Sequence, residues 1–134
     1  MTILIFTDGA ARGNPGPAGC GAVIADEDGT IIEKHYKFLG ETTNNVAEYQ
    51  ALILGLTEVK KFKKVTEIRC YADSQLIVEQ VNGNYKVKNQ DLAKLHEQVR
   101  TLVLELPPVQ FFYIPREKNK EADKLANTAI NTGA

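Results

Sequence analysis

The sequence predicts an α/β protein built around one mixed sheet of five strands. Three apolar runs separated by short loops open the chain, which is typical of an antiparallel meander. Later segments place apolar residues at helical spacing, and two further apolar runs lie between them. Strands that are separated by helices are usually parallel, so we expect the order βββαβααβα in one α/β layer structure.

The three opening strands are predicted from apolar runs and turn residues. The first run covers Ile3–Phe6, and its length and bounding turn residues suit a strand that is buried on both faces. Asp8 would then lie at the end of a central strand, where a lone carboxylate is costly to bury unless a cation meets it. The second strand is predicted over Gly19–Ala25 and the third over Ile31–Phe38, because Asp28-Gly29 between them is a strong hairpin signal.

The rest of the chain alternates between helical stripes and short strands. The first helix opens at Thr42–Asn45 and carries a clean apolar stripe, and a later helix that starts near Asn89 is ended by Pro107-Pro108. The other predicted elements are a fourth strand over Val65–Ala72, a short helix over Leu76–Val81, a fifth strand over Val109–Ile114, and a last helix over Lys120–Ile130.

Composition limits the classes of protein that the chain can represent. Its 134 residues, 43% hydrophobic and 25% charged, are expected to form one domain over residues 1–134. A net charge of -1 argues against a generally basic nucleic-acid-binding surface, although lysines cluster locally. No apolar run approaches membrane-spanning length. Cys20 and Cys70 lack metal or redox spacing, so we expect buried thiols, a reducing compartment and a cytoplasmic location.

Four acidic residues are the candidate functional groups. Asp8 and Asp73 each follow a predicted parallel strand, and the carboxyl ends of such strands share one rim of a sheet. Glu48 and Asp123 lie in the first turns of helices that can reach the same rim. Four carboxylates that converge without basic neighbours would repel one another, so the pattern predicts a hard divalent cation, Mg²⁺ or Mn²⁺.

Each carboxylate also has a local structural explanation. Asp73 can cap the helix that follows it, and Glu48 has the spacing of a capping box with Asn45. Asp123 can interact with the positive end of its helix, and Asp8 can start a turn. These explanations account for each position separately, but they do not explain why all four residues point toward one rim.

Five motifs in this order resemble the type 1 ribonuclease H family. They are FTDGAARGNPGPAG, TTNNVAEYQA, ADSQLI, VKNQDL and PREKNKEADKLAN, and together they extend from the first strand to the last helix. The resemblance implies the ribonuclease H-like fold, a five-stranded mixed sheet with helices on both faces. It also implies an endonuclease that hydrolyses the RNA strand of RNA–DNA hybrids by a two-metal-ion mechanism, leaving 5′-phosphate and 3′-hydroxyl ends.

The resemblance assigns roles to individual residues. It implies that Asp8, Glu48, Asp73 and Asp123 are the catalytic residues and hold two Mg²⁺ or Mn²⁺ ions beside the scissile phosphate. Further positions match residues that contact the substrate. Asn14, Asn44, Asn45 and Gln75 match contacts to the RNA strand, and Thr43 and Asn89 match a pocket for a DNA-strand phosphate.

Three departures from the family pattern stand in the sequence. The loop Pro115–Asn119 has no histidine, so Arg116 or Glu117 is the candidate auxiliary residue. Glu41 stands where some relatives carry an arginine, and the segment between Val81 and Asn89 is too short for the basic handle of other relatives. These differences predict weaker, salt-sensitive binding of the hybrid with the chemistry intact.

Alternatives remain open from the sequence. One is a ribonuclease H-like module that binds nucleic acid without cutting it. Another is a nuclease with a different substrate, such as double-stranded RNA, or the ribonuclease H part of a reverse transcriptase. We expect a monomer with no obligate protein partner and no membrane association, acting on an RNA–DNA hybrid.

Overall fold

The computed structural model describes residues Met1–Ala134 and confirms the predicted order of elements. Each strand and helix was predicted, although several boundaries differ by a few residues. The strands are β1 (Thr2–Ala11), β2 (Gly16–Asp26), β3 (Ile31–Thr42), β4 (Glu67–Ala72) and β5 (Val109–Tyr113). The helices are α1 (Asn44–Glu58), α2 (Gln75–Val81), α3 (Gln90–Leu104) and α4 (Lys120–Thr132), with short 3₁₀ turns at Val59–Lys61 and Arg116–Lys118.

The five strands form one mixed sheet in the order β3-β2-β1-β4-β5. β1, β2 and β3 are antiparallel neighbours, whereas β4 runs parallel to β1 and β5 runs parallel to β4. The predicted hairpin strands therefore extend one edge, and the strands that follow helices form the parallel half. β1 is the central strand, which confirms the buried position expected from its apolar run.

One prediction about β1 is wrong in detail. The strand does not stop at Asp8 but continues to Ala11, because β2 pairs with it as far as Ala11 and Ala18. The parallel pairing with β4 ends earlier, at Thr7 and Ala72. Asp8 therefore lies one residue beyond the parallel ladder, where β1 and β4 separate, and it does not start a turn with Gly9.

The helices begin at residues whose side chains accept hydrogen bonds from free backbone N–H groups. Thr43 caps α1 by accepting from Val46 N, and Asn89 caps α3 by accepting from Leu92 N. At α2 the cap is Ser74, whose Oγ accepts from Ile77 N. The capping explanation for Asp73 is therefore wrong, and its carboxylate is left available to the site.

The hydrophobic core lies between the sheet and the helices α1 and α3, and α4 covers part of the opposite face. The largest buried core side chains include Ile3 of β1, Tyr49 of α1 and Ile68 of β4. α4 packs on β1, β2 and β3, which confirms helices on both faces. Both cysteines are free and buried. None of the four helices combines the length and the apolar character that a membrane crossing requires.

Candidate active site

Three of the predicted carboxylates meet where β1 and β4 separate. Asp8 projects from β1, Asp73 follows β4, and Glu48 reaches them from the second turn of α1. One carboxylate oxygen from each of the three lies within 4.8 Å of the other two. Topology brings these residues together from positions that are far apart in the sequence, as the strand order predicted.

Gly9 allows α1 to approach the sheet at this point. A Cβ atom on Gly9 would overlap the backbone of Ala47, so any other residue here would push the helix away. The backbone N–H of Gly9 donates a hydrogen bond to Glu48 Oε1. The capping-box explanation for Glu48 is therefore wrong, because its carboxylate is directed at β1 and Thr43 caps the helix.

Asp123 completes the acidic wall of the cleft. It lies in the first turn of α4, on the sheet face that Asp8 shares with Gly21, its partner on β2. A Cβ on Gly21 would come within 2.6 Å of Leu125 Cβ, so a small residue there lets α4 lie close to the strands. The cleft is lined by all four carboxylates together with Gly9, Ala10, Ala11, Arg12, Asn44, Ser74, Arg116 and Asn127.

The site is electrostatically unfavourable in the absence of a cation. Asp8 and Glu48 are each only 5% exposed, and none of the four carboxylates forms an ion pair with a lysine, arginine or histidine. Burial, followed by repulsion from Glu48, raises the pKa of Asp8 to about 10. Burial likewise raises the pKa of Glu48 to about 7. Both shifts show that the protein alone does not compensate the negative charge gathered here.

The donor set fits a hard divalent cation. All four side chains offer carboxylate oxygens, the ligands that Mg²⁺ and Mn²⁺ prefer, and no sulfur or imidazole ligand is present in the cleft. Two of the four are nearly fully buried, so a bound ion would relieve the desolvation and repulsion that raise their pKa values.

Asn119 supports the site, and sequence analysis missed it. The residue is only 2% exposed, and its Nδ2 donates to Thr7 O at 2.8 Å and to Asp73 Oδ2 at 3.3 Å. One amide thus joins β1 to the carboxylate that follows β4, from the residue immediately before α4. Its position four residues before Asp123, just ahead of the predicted last helix, was the signal available in the sequence.

Asn127 supports the fourth carboxylate in a similar way. It lies one helical turn after Asp123, and its Nδ2 donates to Asp123 O at 3.0 Å and to Oδ1 at 3.4 Å. Arg12 in turn donates to Asn127 Oδ1 at 3.2 Å. The i, i+4 spacing of Asp123 and Asn127 was visible in the sequence, whereas the contact with Arg12 depends on tertiary structure.

The structure distinguishes the two auxiliary candidates of the loop before α4. Arg116 lines the carboxylate cleft, and its positive charge acts to lower the pKa of Glu48, although burial outweighs this effect. Glu117 lines a separate, more apolar cleft beside Phe6 and the start of α4. Arg116 is therefore the one of the two that faces the carboxylates.

The predicted substrate residues occupy the rim of the cleft and the helix starts around it. Asn14 Oδ1 accepts a hydrogen bond from Asn44 N at 3.1 Å, which joins the β1–β2 loop to the start of α1. Gln75 is exposed at the start of α2, beside Asp73. Of the other predicted substrate residues, Thr43 and Asn89 cap their helices, and Asn45 lies half-buried in the first turn of α1.

Comparison with known proteins places the chain among nucleases. A family model described as reverse transcriptase-like matches residues 6–129. A ribonuclease H of Lachnoclostridium phytofermentans is 35% identical over 157 aligned positions that cover 99% of this chain and 94% of the relative. A bifunctional protein of Mycobacterium tuberculosis is 43% identical over 100% of this chain, and the chain spans 37% of that protein's length.

A solved structure extends the likeness to three dimensions. A crystal structure of LC11-RNase H1 in complex with an RNA/DNA hybrid matches with a TM-score of 0.94 and 46% sequence identity, and the match covers 98% of each chain. The likeness therefore includes the five strands and four helices from which the carboxylates and their supporting amides are positioned.

Proposed function

The chain belongs to the type 1 ribonuclease H family, and on that premise we propose that it is a metal-dependent endonuclease that hydrolyses the RNA strand of RNA–DNA hybrids. The observation that carries the proposal is the meeting of Asp8, Glu48 and Asp73, which are buried or half-buried and form no ion pair with a basic side chain. The relative solved with an RNA/DNA hybrid supports the substrate class. The products would carry 5′-phosphate and 3′-hydroxyl ends.

The four carboxylates would hold the catalytic cations, with Mg²⁺ or Mn²⁺ as the expected metal and two ions as the expected number. When bound, the ions supply Lewis-acid stabilisation of charge on the scissile phosphate and lower the pKa of the attacking water. The protein positions the ligands for this chemistry. Gly9 N–H holds the Glu48 carboxylate, Asn119 Nδ2 holds that of Asp73, and Asn127 Nδ2 holds that of Asp123.

Amide side chains around the cleft would select RNA over DNA. Asn14, Asn44, Asn45 and Gln75 can both donate and accept hydrogen bonds, which suits recognition of the ribose 2′-hydroxyl. Asn14 and Asn44 are already joined by a hydrogen bond, so the two would present a fixed surface to the RNA strand. Thr43 and Asn89 would contribute to binding of a DNA-strand phosphate at the N-termini of their helices.

The test is cleavage of an end-labelled RNA–DNA hybrid in Mg²⁺, Mn²⁺ or EDTA, beside an Asp8→Asn variant. Asp28→Asn is the matched control, since this aspartate is exposed in the β2–β3 turn. We expect cleavage of the hybrid's RNA strand that needs metal, persists in the control and is lost in Asp8→Asn. Double-stranded RNA run in parallel shows whether the substrate class is wider. Binding of the hybrid without cleavage in either metal would contradict the proposal and would indicate a module that binds nucleic acid without cutting it.

A further inference from the structure

Three aromatic rings form a stack across the parallel half of the sheet. Phe6 on β1, Tyr71 on β4 and Phe112 on β5 are register partners in adjacent strands. The ring centroids of Phe6 and Tyr71 are 5.0 Å apart with planes inclined by 18°, and those of Tyr71 and Phe112 are 5.4 Å apart with planes inclined by 24°. We call these three residues the aromatic ladder.

The outer end of the aromatic ladder is open. Helix α4 packs on this face of the sheet, and its main contacts are with β1, β2 and β3 rather than with β4 and β5. β5 is the edge strand, so no further strand lies beyond Phe112, whose side chain is 39% exposed. One face of the Phe112 ring is stacked on Tyr71, and the stack can be continued by another flat ring at the sheet edge.

The aromatic ladder is continuous with the carboxylate cleft. Phe6 lies two residues before Asp8 on β1, and Tyr71 lies two residues before Asp73 at the end of β4. Residues two apart in a strand, as Phe6 and Asp8 are, project from the same face, about 7 Å from each other. A chain that passes the carboxylates can therefore reach the ladder within one or two nucleotides.

Positive charge accompanies the aromatic ladder. The loop after β5 and the start of α4 carry Arg116, Lys118 and Lys120, and none of these forms an ion pair. Arg116 lines the carboxylate cleft, whereas Lys118 and Lys120 line the neighbouring cleft whose wall includes Phe6. Glu117 and Glu121 line that neighbouring cleft as well, but Glu121 is paired with Lys34, so two unpaired lysines face one unpaired acid there. This excess of unpaired cations favours a polyanion over an apolar peptide as the occupant.

We propose that the aromatic ladder and these three cations bind a single-stranded extension of the RNA strand where it leaves the hybrid. An unpaired base in a flexible tail is free to present its face to the exposed ring of Phe112, whereas bases inside the hybrid are covered by their neighbours. Every base has such a face, so the surface would tolerate any sequence. The proposal rests on the proposed function, because it takes the hybrid to lie over the carboxylates. It adds a preference for hybrids that end in a single-stranded tail.

The test compares binding of a blunt hybrid with binding of the same hybrid carrying an RNA tail at one end or the other. The Asp8→Asn protein keeps every substrate intact, and a fluorescent adenine analogue in the tail reports stacking through loss of emission. We expect one tailed hybrid to bind roughly ten-fold tighter than the blunt one, the size of one base–aromatic stack. In Phe112→Ala the ratio of tailed to blunt affinity should fall to about one, and emission should recover.

Tyr113→Ala is the matched control. Tyr113 is the next residue of β5, is 51% exposed, and projects from the opposite face of the sheet, so its loss should preserve the preference for the tail. Phe112→Leu keeps an apolar side chain but removes the flat ring, and it should behave like Phe112→Ala. If neither tail improves binding, or if Tyr113→Ala abolishes the preference equally, the ladder does not bind the strand.

Two further measurements separate the remaining explanations. Cleavage of the blunt hybrid by the wild-type protein tests the proposed function alone, whereas the ratio of affinities tests the ladder. Sedimentation at increasing protein concentration tests self-association through the same surface. A dimer that Phe112→Ala dissociates would assign the ladder to protein contact and overturn the proposal for nucleic acid.

Discussion

Two clusters in this molecule each bring three candidate metal ligands within 4.8 Å of one another, but they differ in burial and in how their negative charge is compensated. The first consists of Asp8, Glu48 and Asp73, and the second of Glu33, His35 and Glu58. Helix α1 contributes one glutamate to each, Glu48 near its start and Glu58 at its end. The two clusters therefore offer an internal test of what makes a group of acids a metal site.

The second cluster contains its own cation. Lys61 Nζ lies 2.7 Å from Glu33 Oε1 and 3.4 Å from Glu58 Oε1, and His35 Nε2 contacts the same glutamates at 2.7 and 3.6 Å. Its acidic side chains are 28% and 31% exposed, so water also shares their charge. The hydrogen bond from Lys61, followed by that from His35, lowers the pKa of Glu33.

In the first cluster the negative charge is not compensated by a neighbouring cation. Its supporting contacts come from neutral donors, the N–H of Gly9 and the amide of Asn119, and burial raises the pKa values of Asp8 and Glu48. Proximity of ligands is common to both clusters, whereas charge that the protein leaves uncompensated is found only in the first. Burial without a cation, rather than spacing, therefore distinguishes the proposed metal site from the second cluster.

The sharpest test of this comparison uses the two glutamates of α1. Glu48→Gln should lower metal-dependent cleavage by roughly 10³-fold, because loss of a ligand removes several kcal/mol of transition-state stabilisation. Glu58→Gln, on the same helix, should change the rate by no more than about two-fold, since exposed ion pairs contribute little. Both variants are measured with labelled hybrid at saturating metal. Equal losses would show that the two clusters do not differ in function.

Metal binding should stabilise the fold through the first cluster alone. At a concentration about one hundred times its dissociation constant, Mg²⁺ or Mn²⁺ should add about 2.7 kcal/mol to the free energy of unfolding of the wild-type protein. Asp8→Asn should lose most of this gain, and Glu58→Gln should retain it. Urea unfolding with and without EDTA measures the effect. A gain that disappears in Glu58→Gln would instead locate the ion at the second cluster.

Without metal, Asp8→Asn should make the protein more stable at neutral pH. The folded pKa of Asp8 is raised from 3.8 to about 10, so its contribution to stability is complete below about pH 3.8 and is lost as the pH rises toward 10. The neutral amide removes that loss of stability, by an amount on the order of a few kcal/mol. Urea unfolding in EDTA at acidic and neutral pH should show the gain only at neutral pH. A variant less stable than the wild type at neutral pH would contradict this account.

Periodicity and turn residues predicted the fold almost completely. The order of elements, the parallel half of the sheet and its hairpin edge follow from where apolar runs are separated by helices. The errors lie at boundaries. β1 extends to Ala11 because its pairing with β2 outlasts its pairing with β4, and no local pattern in the sequence reports how long a partner strand is.

The site was predicted less completely, because its supporting contacts are not local. Strand order placed Asp8 and Asp73 at one rim, but the direction of Glu48 depends on how closely α1 approaches Gly9. The amide of Asn119 contacts Thr7, which is 112 residues earlier in the chain. The roles of the six substrate residues and of Arg116 stay predictions, since a hydrogen bond or a cap within the protein does not reveal what the same group does with a ligand.

Glu33→Gln should have the smallest effect, with the sign opposite to that of Asp8→Asn. Because the folded pKa of Glu33 is lowered below 4.5, its stabilising contribution is present above pH 4.5 and is lost as the pH falls through the folded pKa. At neutral pH the variant should lose less than about 1 kcal/mol, and high salt should shrink the loss. In a Lys61→Met background Glu33→Gln should lower the free energy of unfolding by even less, because the main partner of Glu33 is already absent. An equal loss in both backgrounds would show that Lys61 does not compensate this cluster, and burial alone would then have to distinguish the proposed metal site from it.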